Sequence, residues 1–272
     1  MTHKSAWSDP SLASAEDIAR MATHLEDRAT RHDQSQVNRA IRDALAPQPG
    51  ERLLEVGSGT GLLCRLMLPD SPPYGLISGL DFSPGFNRCA RKNAHKAPGS
   101  SSLQFITGQA ENLPYQDNCF DGAWAARLIL HAAHPIRVIA EMVRVVRPSG
   151  RIVLADWDFG TVAVDHPNRE LTRRLLQWRS DHHGGDNWSG RQLYRQMQVV
   201  GLRDVQIIPV TVVAREKSAA LTLSLWRSAE VALNAGAITA QEHDSWIMEL
   251  KERITNSTFF ASITYFIVKG RK

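Results

Sequence analysis

Apolar residues recur at helical spacing from the first described turn of the pattern onward. "SAEDIARMATHLEDRA" carries Ile18, Met21, Ala22 and Leu25 behind a Ser14 cap, and "QVNRAIRDALA" repeats the stripe with Val37, Ile41 and Leu45. Residues 12–46 therefore read as helices, stopped by "PQPG" at 47–50. The pattern then alternates. "RLLEV" (52–56) is a short apolar run suited to a buried parallel strand, "GLLCRLML" (61–68) is helical and "GLISGLD" (75–81) is strand-like. "SPGFNRCARKNAH" (83–95) opens with a serine cap and a first-turn proline. "LQFITG" (103–108) and "CFDGAWAA" (119–126) read as strands, "PIRVIAEMVRVVRP" (135–148) as a helix ended by Pro148, and "GRIVLADWD" (150–158) as the next strand. Strand and helix in alternation at this spacing predict βαβ units, and so a parallel sheet with helices on both faces.

The tail follows a different pattern. Helices are predicted at 168–183 and 189–201, a strand at 205–214, helices at 217–234 and 239–254, and a closing strand in "FFASITYFIVKGRK" (259–272). No repeat or low-complexity linker divides the chain, so one domain is expected over residues 1–272.

Composition narrows this little. Hydrophobic residues are 43% and charged residues 22% of 272, as in an ordinary globular protein. No apolar stretch approaches the roughly 20 residues that cross a bilayer, and the first 20 residues lack the apolar core of a secretion signal. Cys64, Cys89 and Cys119 are scattered, which favours free thiols in a reducing, cytoplasmic setting. The formal charge of +4 is mild, and basic stretches such as "RELTRRLLQWRSD" (169–181) alternate with acids, reading as solvated helix faces and not as a nucleic-acid surface. Monomer and homo-oligomer are equally open.

The chemistry concentrates in "LLEVGSGTG" (53–61). A glycine turn between strand and helix lets a ligand approach the backbone and the positive helix end. The dinucleotide fingerprint G-x-G-x-x-G is not met, because Leu62 stands where the last glycine belongs. Glu55, two residues before Gly57, repels a pyrophosphate but suits a cationic cofactor. Asp81 ends the next strand, where a carboxylate can accept both hydroxyls of a ribose, and Phe82 beside it can pack on an adenine. "GQAENLPY" offers Gln109, Ala110 and Glu111 to an adenine edge.

Together, "LLEVGSGTG", "GLDFSP", "GQAENLPYQDNCFDGAWAARLILHAAHP" and "EMVRVVRPSGRIVLAD" resemble the class I S-adenosylmethionine-dependent methyltransferases, in the branch of the ubiquinone/menaquinone-type and other small-molecule methyltransferases. The resemblance covers about residues 50–158. It implies an α/β, Rossmann-like, seven-stranded sheet, mostly parallel with an antiparallel last strand. It implies S-adenosylmethionine as cofactor, with Glu55, Gly57, Gly59 and Gly61 around its methionine part, Asp81 on the ribose, and Gln109 and Ala110 near the adenine. In this division residues 1–46 form a helical lid, 47–158 the cofactor-binding core, and 159–272 substrate-side helices and final strands. One departure is Gln109, where the family often has an acid; its amide carbonyl accepts the same hydrogen bond.

Methyl transfer from a sulfonium is an in-line displacement with a neutral leaving group, so alignment of donor and acceptor matters most. An oxygen acceptor also benefits from a base, and His131, a few residues past the fourth strand, is the candidate. Arg127 is open between pairing with the cofactor's carboxylate, pairing with an acidic acceptor, and lying on the surface. His134 reads as a helix-start residue. Asp156 reads as a turn cap or pocket lining and Trp157 as a pocket wall. "SDHHGGDNWSGRQL" (180–193) invites a metal through His182, His183 and Asp186, but adjacent histidines on a flexible lid fit a metal poorly, and no metal is assigned. The expected activity is methyl transfer to an oxygen or carbon of a small organic metabolite. The alternatives are an NAD(P)-dependent oxidoreductase and a non-catalytic S-adenosylmethionine-binding protein.

Overall fold

The computed structural model describes residues 14–68, 75–97, 99–182 and 184–272. Two amphipathic helices come first, α1 (Ala15–Thr30) and α2 (His32–Leu45). Ser14 caps α1 and Asp17 returns a bond to the Ser14 backbone, a complete capping box. Strand and helix then alternate through β1 (Arg52–Val56), α3 (Leu62–Met67), β2 (Leu76–Asp81), α4 (Pro84–Ala94), β3 (Leu103–Thr107), β4 (Phe120–Ala126), α5 (Pro135–Val145) and β5 (Val146–Val164). The chain continues through α6 (Arg169–His182), α7 (Ser189–Val199), β6 (Arg203–Ala214), α8 (Ala220–Asn234), α9 (Ala240–Thr255) and β7 (Ala261–Arg271).

The seven strands form one sheet in the order β3-β2-β1-β4-β5-β7-β6. All neighbours among β1 to β5 are parallel, while β7 runs antiparallel to both β5 and β6. Strand order reverses between β1 and β4, and the carboxyl ends of strands at such a switch point open a crevice for a ligand. One face of the sheet is buried under α2, α3, α6, α8 and α9 through residues such as Ile41, Met67, Leu175, Leu225 and Trp246. The other is buried under α5 and α7 through Ile139, Met142, Leu193 and Met197. Each of these fully buried side chains contributes about 1.5–3 kcal/mol relative to exposure. Among the described residues, no helix is long and apolar enough to cross a membrane.

Two boundaries differ from the sequence expectation. Helix α5 stops at Val145, before Pro148, and β5 extends well beyond 150–158 at both ends. The cause is non-local: Val146 pairs with Phe120 of β4, and Lys272 at the far end of the chain exchanges backbone bonds with Ser149 and Gly150. A short 3-10 turn, Ile129–His131, also follows β4 where no element was expected.

Candidate active site

The glycine turn is a left-handed bend, with Gly57, Gly59 and Gly61 at φ +76, +51 and +70. At Gly61 any side chain is strained: a Cβ there would lie 2.5 Å from the Phe105 ring on a left-handed backbone. Four of the turn's N–H groups are engaged. Gly57 and Ser58 both donate to the Leu80 carbonyl, Gly61 donates to Ser58, and Gly59 donates to Asp81 Oδ2 at 2.8 Å. Asp81 Oδ1 accepts from the Ser83 N–H at 2.9 Å, so this nearly buried carboxylate ties the turn to the start of α4. Burial raises its pKa, while the two backbone bonds oppose the rise.

Glu55 lies beneath the turn, 2% exposed, where Oε2 accepts from the Cys64 N–H at 3.2 Å and the Cys64 thiol at 3.0 Å. Burial pushes its pKa up to about 7, against the pull of the Cys64 bond and of Arg127. Asp156, on β5, is a second carboxylate of this kind. It is wholly buried, raised to about 7 by burial, and Oδ2 accepts from the Leu130 N–H and the Ser189 hydroxyl. Asp156 thus holds the turn after β4 against the start of α7, and its Oδ1 is buried without a partner. Arg127 acts electrostatically on both acids. Its backbone is left-handed at φ +58, its N–H donates to the Ala155 carbonyl at 2.7 Å, and its charge draws both carboxyl pKa values down. Among the described residues its half-buried guanidinium forms no ion pair.

The remaining expected residues lie as follows. Phe82 is 38% exposed beside Asp81. Gln109 pairs with Asn112 across a one-bridge turn that leaves Gln109 exposed and Ala110 half-buried. His131 ends the 3-10 turn, half-buried, facing the loop before α7: Gly185 sits so close that a Cβ would lie 2.6 Å from the Leu130 carbonyl and 3.3 Å from His131 Nδ1. Asp186 N–H closes the same contact by donating to Leu130 O at 2.7 Å. His182 stacks on Trp178 and Asp186 binds the Trp188 N–H and Gln192, so neither is turned to a shared ion; His183 lies outside the described residues. His134 stands at the start of α5, as expected.

Sequence reasoning expected residues 1–46 as a helical lid but identified none of three side-chain placements. Helix α1 covers the turn: Leu25 lies 3.2 Å from where a Gly59 Cβ would be, and Glu26 accepts from Arg65 on α3 and Asn93 on α4. Asp158, 1% exposed, pairs with Arg191 of α7. Arg179 is 3% exposed, which corrects the reading of 169–181 as solvated throughout. The signal was present in the spacing of Leu171, Leu175 and Arg179, a single stripe of α6. A cleft of about 540 Å³ between α8 and α9, lined by Lys217, Trp226 and His243 among others, includes none of the glycine-turn residues.

Against known proteins, residues 54–154 match the methyltransferase domain family. The chain carries a class I S-adenosylmethionine-dependent methyltransferase domain. An uncharacterised 37.1 kDa protein in a transposon of Streptomyces fradiae is 29% identical over 90% of this chain and 70% of its own length. The demethylmenaquinone methyltransferase of Renibacterium salmoninarum is 33% identical over 45% of this chain, a match spanning 48% of that enzyme. The chain thus spans about half the length of that characterised relative. The YcgJ protein of Bacillus subtilis shares the fold, with a TM-score of 0.58, 19% identity, and coverage of 88% of this chain and 98% of its own.

Proposed function

We propose that this protein transfers a methyl group from S-adenosylmethionine to an oxygen or carbon of a small organic molecule. The observation that carries this reading over a dinucleotide enzyme is the engagement of the turn's N–H groups. A pyrophosphate needs free N–H donors and no adjacent acid. Here Gly57, Ser58, Gly59 and Gly61 already donate within the protein, and Glu55 is buried below them. A cationic ligand fits, because a fully buried carboxylate with a raised pKa is stabilised in its charged form by an incoming positive group. Asp81 fits a ribose, since each of its oxygens accepts one backbone bond and keeps lone pairs for a hydroxyl.

In this reading Glu55 and the glycines hold the methionine part, Arg127 its carboxylate, Asp81 the ribose, and Phe82, Gln109 and Ala110 the adenine. The cofactor, when bound, supplies an electrophilic methyl on a sulfonium whose departure leaves a neutral thioether. The protein excludes water with α1 and fixes the acceptor's approach; well-oriented placement alone contributes about 7–11 kcal/mol. In this reading His131 takes the proton from a hydroxyl acceptor. Trp157, Phe159 and Tyr265 stand edge to face with centroids 6.4 and 5.9 Å apart, an apolar wall suited to a cyclic acceptor, a quinone-like ring included. The test is a titration with S-adenosylhomocysteine and with NAD side by side, followed by incubation of a metabolite extract with methyl-labelled cofactor. Binding of S-adenosylhomocysteine and label in a small molecule are expected. Binding of NAD alone refutes the reading, and cofactor binding without label leaves a binder and no transferase.

A further inference from the structure

Arg179 occupies a core position on α6, in line with the buried Leu171 and Leu175. Its guanidinium lies 4.0 Å from the centroid of the Phe159 ring. Nη1 donates to Asn187 Oδ1 at 3.2 Å, and Nε is buried without a partner. Among the described residues no carboxylate reaches it, and the charged neighbour that acts on it is Arg227, of the same sign. Burial, and then Arg227, pull its pKa down to about 9, so it remains cationic at neutral pH. A guanidinium has five N–H donors and is strongly disfavoured in a buried place unless an anion meets it. Here a ring face and one amide stand where a carboxylate would complete the guanidinium's hydrogen bonds.

The surroundings give the position a use. Phe159 N–H donates to the Asn187 carbonyl at 2.8 Å, which locks the loop before α7 beneath the guanidinium. Phe159 meets Trp157 edge to face, Trp157 meets Tyr265, and the Tyr265 hydroxyl donates to Gln34 of α2. The aromatic wall therefore runs from α2 to Arg179, and it begins one residue after Asp156, which holds the turn bearing His131. We propose that Arg179 receives an oxyanion, carboxylate or phosphate, carried by the molecule that lies along this wall. The proposal rests on the methyltransferase reading for the identity of that molecule as acceptor; the anion site itself does not. The buried Nε, which has no partner, is the donor such an oxyanion would meet, and a planar guanidinium can add a second, parallel N–H···O bond beside it.

The test uses the full chain with and without saturating S-adenosylhomocysteine, and the probes benzoate, phenyl phosphate and neutral benzyl alcohol. Thermal unfolding and calorimetry are read for wild type, Arg179→Met and Arg179→Lys. At least one anion is expected to raise the wild-type unfolding temperature by several degrees where benzyl alcohol does not. Arg179→Met is expected to weaken that anion at least tenfold, to keep its S-adenosylhomocysteine affinity, and to unfold without ligand no earlier than wild type. Arg179→Lys, which keeps the charge but not the fork, should retain part of the shift. Indifference of the wild type to both anions overturns the proposal, as does an equal shift in Arg179→Met. A large loss of ligand-free stability in Arg179→Met also overturns it, since a structural arginine behaves that way. Anion binding without any S-adenosylhomocysteine binding would leave Arg179 as an anion site and remove the methyltransferase reading instead.

Discussion

Replacing Glu55 with glutamine separates the charge of the buried carboxylate from its shape. The amide oxygen of glutamine still accepts from the Cys64 N–H, so the packing beneath the turn is kept. The ordinary carboxyl value of 4.5 is pushed up to about 7 in the fold. At 1.36 kcal/mol per decade, ionising the group in the folded state costs about 3 kcal/mol of stability. The sign follows from proton counts. Between about pH 4.5 and 7 the folded protein holds a proton that the unfolded chain has lost, so this group's contribution falls as pH rises through that window and levels off above it. Asp156 and Asp81 titrate in both proteins, and the difference between Glu55→Gln and wild type cancels them. Urea unfolding of both, without cofactor, from pH 4.5 to 8.5 is expected to show that difference moving in favour of the variant by about 3 kcal/mol. Cofactor binding should move the other way: losing a charge-assisted contact of about 1.5–3 kcal/mol weakens S-adenosylmethionine at least about tenfold by calorimetry. A stability difference flat with pH, or growing in favour of the wild type, would refute the argument that Glu55 is a destabilised, functional charge.

Four further outcomes are expected. Gly61→Ala places a methyl 2.5 Å from the Phe105 ring on a left-handed backbone, and should lower unfolding free energy by about 2–3 kcal/mol in chemical denaturation. Asp81→Asn turns an amide donor toward the Gly59 or Ser83 N–H, and should raise the S-adenosylhomocysteine Kd at least about tenfold while the far-UV circular dichroism is unchanged. Glu26→Ala removes the acceptor that joins α1 to Arg65 and Asn93, and should speed amide hydrogen exchange in residues 15–27 with little change in α5 or α7. His131→Ala should lower kcat with cofactor affinity preserved; equal turnover would make the residue structural.

The alternation of short apolar runs with capped, 3.6-periodic segments was enough to read the parallel half of the sheet, because its inner strands β1, β2 and β4 are buried on both faces and each helix carries one stripe. The glycine turn and Asp81 were equally legible, since backbone conformation and strand-end position are written locally. What escaped was non-local. Pro148 reads as a helix stop, yet the preceding residues had already left the helix to pair with Phe120 and the chain terminus. The 3-10 turn bearing His131 is set by Asp156 accepting the Leu130 N–H from 26 residues away. Arg179 was lost in a basic stretch because local charge density says nothing about which arginine faces inward; only its spacing from Leu171 and Leu175 did.

The same comparison explains where this fold departs from what stability alone would select. Sheet faces and helix stripes are apolar and closely packed, and exposed ion pairs such as Arg20 with Asp17 involve groups that water already satisfies. At the carboxyl edge the logic inverts. Burial holds the pKa values of Glu55 and Asp156 near 7, the charge of Arg127 acts on both, and Arg179 sits in the core against a ring. Burying an incompletely compensated charge costs stability, most clearly at Arg179, whose Nε has no partner. The placement of these groups along one edge, from β1 across β4 and β5 to α6, argues that the missing compensation comes from outside the chain. On the two proposals above, a cation at Glu55 and an anion at Arg179 are complementary demands, the first assigned to the cofactor and the second to the acceptor.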